Sequence, residues 1–78
     1  MLDVRILTPN GTLFEGEAES LTLPGVLGRF TVLDRHAPII SALENGTLVC
    51  KTAEVVKEYP VTRGFAGVEN NVISVCVE

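Results

Sequence analysis

Apolar residues recur at every second position along most of this chain, and no window sustains a helical period. Leu2, Val4 and Ile6 alternate with Asp3 and Arg5, which puts the three apolar side chains on one face of an extended strand. Ser20 to Leu23 and Arg29 to Val32 repeat the alternation, as do Thr47 to Lys51, Glu54 to Tyr59 and Val72 to Val77. β-Branched residues are dense in these runs, and their stiff side chains suit a pleated, half-buried surface. Between the runs stand Pro9-Asn10-Gly11, Pro24-Gly25, Glu44-Asn45-Gly46 and Glu69-Asn70-Asn71, where Asn and Gly accept the positive φ of tight turns. Short strands punctuated about every 8–12 residues predict a single all-β sandwich or small barrel over residues 1–78. Only Ala37 to Leu43 leaves room for a helical turn, and Pro38 disfavours one there.

Some strands are apolar on both faces. Val72 and Cys76 point one way while Ile73, Val75 and Val77 point the other, and Ile39-Ile40 and Val55-Val56 repeat the feature. The second face is covered either by the strands and corners of a flattened barrel or by a protein partner. Size adds weight to the question, because a chain of 78 residues buries only about 60% of the surface it exposes when unfolded. Such cores commonly rely on a staple, a metal or a partner.

Cys50 and Cys76 are the only cysteines and lie in strand-like runs. The start of the chain lacks the basic and apolar regions of a secretory signal. Buried, reduced thiols in a cytosolic protein are therefore expected, with a disulfide between them as the alternative. One histidine and two distant cysteines give no metal-ligand spacing, so no metal is expected. Ten acids against six scattered bases leave a net charge of −4, which argues against a nucleic-acid partner. No apolar run approaches the ~18 residues of a membrane span, so a soluble chain is expected, meeting a membrane only through another protein.

The chain offers little for catalysis. His36 has no nucleophile elbow to serve, since Ser20, Ser41 and Ser74 all lack the Gly-x-Ser-x-Gly context. It reads as a turn residue bonded to nearby backbone or as a contact residue at an interface. Gly25-Val26-Leu27-Gly28 and Arg63-Gly64-Phe65-Ala66-Gly67 are not phosphate loops, because no Lys-Ser or Lys-Thr follows. They read as a turn and as a bulge or close backbone approach. Glu15, Glu17 and Glu19 alternate as the solvated side of a strand. Binding without a catalytic centre is the expectation.

Taken in order, four segments resemble the N-terminal β-domain of the epsilon subunit of rotary, F-type ATP synthases. Ile6-Leu7-Thr8-Pro9-Asn10-Gly11-Thr12-Leu13-Phe14-Glu15-Gly16 is similar to the family's opening strand, turn and Phe-x-Gly element. Leu23-Pro24-Gly25-Val26-Leu27-Gly28-Arg29-Phe30-Thr31-Val32-Leu33 resembles its Leu-Pro-Gly-x-x-Gly-x-Phe-x-Val-Leu segment. His36-Ala37-Pro38-Ile39-Ile40-Ser41-Ala42-Leu43, followed by Asn45-Gly46-Thr47-Leu48, is close to its His-Ala-Pro-Leu-Leu-Thr-Ala-Leu. Val61-Thr62-Arg63-Gly64-Phe65-Ala66-Gly67-Val68 resembles its Val-Ser-Gly-Gly-Phe-x-x-Val.

The resemblance implies a flattened ten-stranded β-sandwich of two antiparallel sheets in the central stalk. It implies a non-catalytic rotor subunit of a proton-translocating enzyme, held to the gamma subunit and the c-ring on the cytoplasmic side of a bacterial inner membrane or the equivalent organelle side. Thr8, His36 and Ser41 match positions near gamma, and Val26, Leu27, Gly28 and Arg29 match the loop that meets the c-ring. Three positions depart from the family pattern. Arg29 stands where an acid is frequent, Asp34-Arg35 where Pro-Gly is usual, and Arg63 in place of the first of two glycines. Family members commonly continue into a pair of α-helices that in some bind ATP or block hydrolysis. The sequence stops before them, so neither property is carried over and no cofactor or ATP binding is expected. The competing reading is a free-standing small β-barrel with a concave pocket for a peptide or small ligand.

Overall fold

A computed structural model describes all 78 residues. Nine strands form, with no helix: β1 (Leu2–Thr8), β2 (Gly11–Ala18), β3 (Ser20–Gly25), β4 (Gly28–Leu33), β5 (Ile39–Leu43), β6 (Gly46–Lys51), β7 (Val56–Val61), β8 (Gly64–Glu69) and β9 (Val72–Val77). They make one continuous hydrogen-bonded sheet in the order β2-β1-β9-β8-β5-β3-β6-β7, with β4 on the other edge of β3. The stretch disfavoured as a helical turn is β5, paired along its length with β8 from Ile39↔Val68 to Leu43↔Gly64.

This corrects the expected ten strands in two antiparallel sheets. β5 passes into β6 through Glu44 and Asn45, and the bend stays paired to β3 at Gly25↔Leu43. The hydrogen bonds Val26 N–H to the Ala42 carbonyl at 3.0 Å and Glu44 N–H to the Pro24 carbonyl at 2.9 Å carry the ladder round the corner. The sheet therefore folds over on itself without dividing. Its two layers are β2-β1-β9-β8-β5 and β4-β3-β6-β7. Every strand pair in the ladder is antiparallel except one: β1 and β9 pair in parallel, from Asp3↔Val72 to Leu7↔Cys76.

Sixteen buried apolar residues fill the space between the layers. Leu2, Val4 and Ile6 from β1, Ile73, Val75 and Val77 from β9, and Leu21 and Leu23 from β3 are all within 3% of fully buried. Each contributes about 1.5–3 kcal/mol by leaving water. Lys57 of β7 lies over the Phe14 ring of β2 at 5.6 Å, bringing the two ends of the strand order together.

The cysteines divide. Both are free, but only Cys50 is buried and Cys76 is exposed, which corrects the expectation of two buried thiols. Val75 and Val77 take the inner face of β9, and strict alternation sends Cys76 outward. Burial raises the Cys50 thiol pKa above its ordinary value. Glu54 and Val55 also fall outside the strand expected there. The Thr52 side chain accepts from both of their N–H groups and donates to the Val55 carbonyl, closing a turn before β7.

Candidate functional site

The outward faces of the two layers differ in chemistry. The β4-β3-β6-β7 layer presents Thr31, Thr22, Val49 and Glu58 across its middle, and the Thr22 and Thr31 hydroxyls are hydrogen-bonded at 3.0 Å. In the other layer β9, β8 and β5 each carry apolar or small residues on the outside as well. Leu7, Cys76, Phe65 and Ala42 lie in one row across four strands by the pairings Leu7↔Cys76, Phe65↔Cys76 and Ala42↔Phe65. An open groove of about 690 Å³ runs along this row, ending at Thr8, Arg63 and Glu78. Phe65 is 66% exposed and Ile40, on the adjoining row, 87%. Gly67 lies beside Ile40 with open space above it, and a second, separate shallow cavity lies there.

Little in this groove would orient a small ligand. Its charged groups, Arg63 and Glu78, are paired with each other at 2.7 Å. The Thr8 hydroxyl is engaged in its own turn, donating to the Gly11 carbonyl at 2.9 Å and accepting from the Asn10 N–H at 3.2 Å. Small-molecule sites use a few convergent, free polar groups within a concave apolar wall. A broad shallow row of apolar side chains suits a complementary protein surface.

The three residues matched to a gamma contact do not converge on a point. Thr8 stands at the groove end of β1, Ser41 in the middle of β5, and His36 beyond the opposite end of the sheet. Ser41 shares the inward side of β5 with Leu43, and its hydroxyl donates to the Ala42 carbonyl. His36 carries both features of a turn residue. Its N–H donates to the Leu33 carbonyl, and ring Nδ1 lies 2.7 Å from the Ala37 carbonyl oxygen. Neither hydrogen bond is to a nucleophile or a carboxylate, so no catalytic pair is assembled on it.

Val26 and Leu27 form the two-residue turn of the β3–β4 hairpin, closed by Gly25↔Gly28. A side chain at Gly25 would come within 2.8 Å of the Gly28 carbonyl oxygen and the Phe30 ring, so only glycine fits. Gly28 has φ +133°, a conformation that favours glycine. Leu27 is fully exposed at the tip and Arg29 is exposed beside it. Through Gly25↔Leu43 this hairpin stands at the same end of the molecule as the groove.

A clasp around Asn71 positions the His36 loop. The Asn71 side-chain amide donates to the Met1 carbonyl at 2.9 Å and to Asp34 Oδ1 at 2.6 Å, and its oxygen accepts from the Arg35 N–H at 2.6 Å. Asp34 also pairs with the Met1 amino group at 3.3 Å. Asn70 and Asn71 have φ of 51° and 63°, the signature of a tight two-residue hairpin turn. Arg35, in place of the usual glycine, sits at φ 64°. The left-handed conformation costs a residue with a Cβ about 1–2 kcal/mol, and the Asn71 bond to its N–H helps to hold it. Arg63 has no positive φ and departs from the glycine pattern without strain.

The Asn71 amide, then the Met1 amino group, hold the Asp34 carboxyl below its ordinary pKa. A carboxylate depressed on folding adds stability above its unfolded pKa, near 4, and loses it as pH falls through the lower folded value. Asn71→Ala is expected to raise the Asp34 titration toward the ordinary range, the Met1 amino group still holding part of the depression, and to lessen the loss of stability in that acid window. Carboxyl chemical shifts and thermal melts between about pH 2 and pH 5 check this; an unmoved Asp34 titration would show that the clasp does not form.

The outward apolar row is the part that periodicity left open. Phe65 and Ile40 lie within segments quoted above, but alternation alone does not say which of two apolar faces is the core. Two-sided strands were the available signal, and the pairing of β5, β8 and β9 collects them on one face.

Comparison with known proteins places the chain. The family described as "ATP synthase, Delta/Epsilon chain, beta-sandwich domain" matches residues 1–78. The ATP synthase epsilon chain of Leptospira borgpetersenii is 35% identical over 77 residues, covering 99% of this chain and 61% of that relative. The chain thus spans somewhat over half the length of such relatives. Among solved structures, a chain of the Tetrahymena thermophila mitochondrial ATP synthase central stalk and c-ring superposes with a TM-score of 0.85 at 16% identity, covering 97% of this chain and 62% of that one. A chain of the Euglena gracilis mitochondrial ATP synthase gives 0.90 at 19% identity, covering 97% and 49%. At such identities the superpositions speak for the fold.

Proposed function

The chain belongs to the β-sandwich family of ATP synthase delta and epsilon chains, and on that premise we propose that it is a non-catalytic rotor subunit of a proton-translocating F-type ATP synthase. The outward apolar row of Leu7, Cys76, Phe65 and Ala42 carries the reading, because it is a surface in need of a cover. The gamma subunit is the proposed cover, with Thr8 at one border; contact with Ser41, on the inward side of β5, and with His36, beyond the far end of the sheet, would require gamma to reach past the edge of the layer. The hairpin tip from Val26 to Arg29 is the proposed c-ring contact, offering a fully exposed leucine and an arginine. Held at these two places, the domain turns with the stalk and transmits torque between ion flow and nucleotide chemistry in other subunits. It meets the membrane only through the complex, on the cytoplasmic side in a bacterium or the equivalent side in an organelle.

Size-exclusion chromatography with the purified gamma subunit of the same enzyme tests the proposal. A stoichiometric complex, with no ATP hydrolysis by this chain alone, is the expected result. Separate elution of two folded proteins would sink it.

A further inference from the structure

The outer face of the β2-β1-β9-β8-β5 layer is graded along the strands. Its row at one end is the apolar one, Leu7-Cys76-Phe65-Ala42. Two residues further along, the row is Glu15-Arg5-Ser74-Gly67-Ile40, in which Arg5 and Glu15 are paired at 3.2 Å. Two residues beyond that, Glu17, Asp3, Val72 and Glu69 stand side by side through Asp3↔Glu17, Asp3↔Val72 and Glu69↔Val72. Strand geometry sets the apolar and acidic rows about 13 Å apart.

The acids of the last row have no counter-ion within the chain. None of the four ion pairs includes Asp3, Glu17 or Glu69. Asp3 and Glu17 are moreover directly opposite each other on neighbouring strands, where like charges weaken pairing. The isolated domain is destabilised by this arrangement and gains nothing visible from it. A positively charged partner would relieve it.

Accepting that gamma covers this face, we infer that it docks in one orientation. An apolar ridge of gamma fills the groove over Phe65, and lysine or arginine side chains about 13 Å away meet Asp3, Glu17 and Glu69. The opposite orientation would press apolar side chains on unpaired carboxylates and basic ones into the groove. Attraction to the acidic row speeds encounter and sets the register, and burial of the apolar row slows release.

Association kinetics with immobilised gamma, at about 50 and 200 mM salt, test this for the unaltered chain and for Asp3→Asn/Glu17→Gln. The unaltered chain is expected to associate several-fold faster at the lower salt. The double variant should lose most of that dependence and associate about 3–10-fold more slowly at low salt, with dissociation little changed. Its melting temperature should equal or exceed that of the parent, because a repulsive pair has been removed. Glu58→Gln, on the other layer, should change none of these. A double variant with the parent's rate and salt dependence would overturn the orientation while leaving gamma as the partner. Failure of the unaltered chain to bind gamma would overturn the proposed function, and this orientation with it.

Discussion

Gly64→Ala is expected to cost the domain about 3 kcal/mol or more and to lower its melting temperature by on the order of 15 °C. Gly64 opens β8 where that strand is paired on both sides, to Leu43 of β5 and Val77 of β9. A Cβ there would run into the carbonyl oxygen of Cys76 and lie 3.0 Å from the Val77 Cα. Both obstacles are backbone, so no side chain can swing aside. The two flanking bonds, Thr62 N–H to the Glu78 carbonyl and Glu78 N–H to the Arg63 carbonyl, would have to shift with it. Total stabilities of about 5–15 kcal/mol leave a small domain little reserve for such a change. Gly67→Ala is the control, since nothing lies within 4 Å of its added methyl and its φ is ordinary. It should melt within a few degrees of the parent. A Gly64→Ala domain as stable as that control would mean that β8 and β9 are not packed in this register.

The second large effect is on binding. Phe65→Glu is expected to weaken association with gamma by about 30-fold or more while leaving stability within about 0.5 kcal/mol. Phe65 is 66% exposed, so little core is lost when it is replaced. Its neighbours in the row, Cys76 and Ala42, are small and leave the ring as the largest apolar feature of the groove. Aromatic residues at the centre of an apolar patch commonly dominate such interfaces, and about 2 kcal/mol at one of them is the 30-fold expected here. A binding titration and a thermal melt of the same preparation separate the two effects. If Phe65→Glu bound gamma as tightly as the parent, the apolar row would not be the gamma surface.

Much of the fold was legible because a β-strand has a local period. Side chains alternate faces every residue, so Leu2, Val4 and Ile6 declare a common face without reference to any other part of the chain. Turns are local as well, and Asn70-Asn71 adopts the positive φ its residue types permit. The glycine motifs were read as a turn and as a bulge or close backbone approach; Gly25 sits in the turn, and Gly64 is a close approach. The ordered segments around Pro24, His36 and Phe65 carried the family, which the match over residues 1–78 bears out.

Pairing is not local, and there the reading fell short. Ten strands in two antiparallel sheets became nine on one folded sheet, because the ladder continues round the bend at Gly25 and Leu43. β1 and β9 pair in parallel within an otherwise antiparallel sheet, a pairing of the two ends of the chain that no local pattern announces. Cys76 went outward because Val75 and Val77 found partners inside, a choice that depends on residues from distant strands.

The sequence by itself determined that the chain is all-β, where most strands and turns lie, which residues share a face, and which family the chain belongs to. Only the tertiary structure decided which of two apolar faces became the core and which was left as a surface. It also decided that Phe65, Cys76, Leu7 and Ala42 form one row while Asp3, Glu17 and Glu69 share another. A period of two is written in neighbouring residues, whereas a row across a sheet is made by residues up to 69 positions apart, brought level only by strand register.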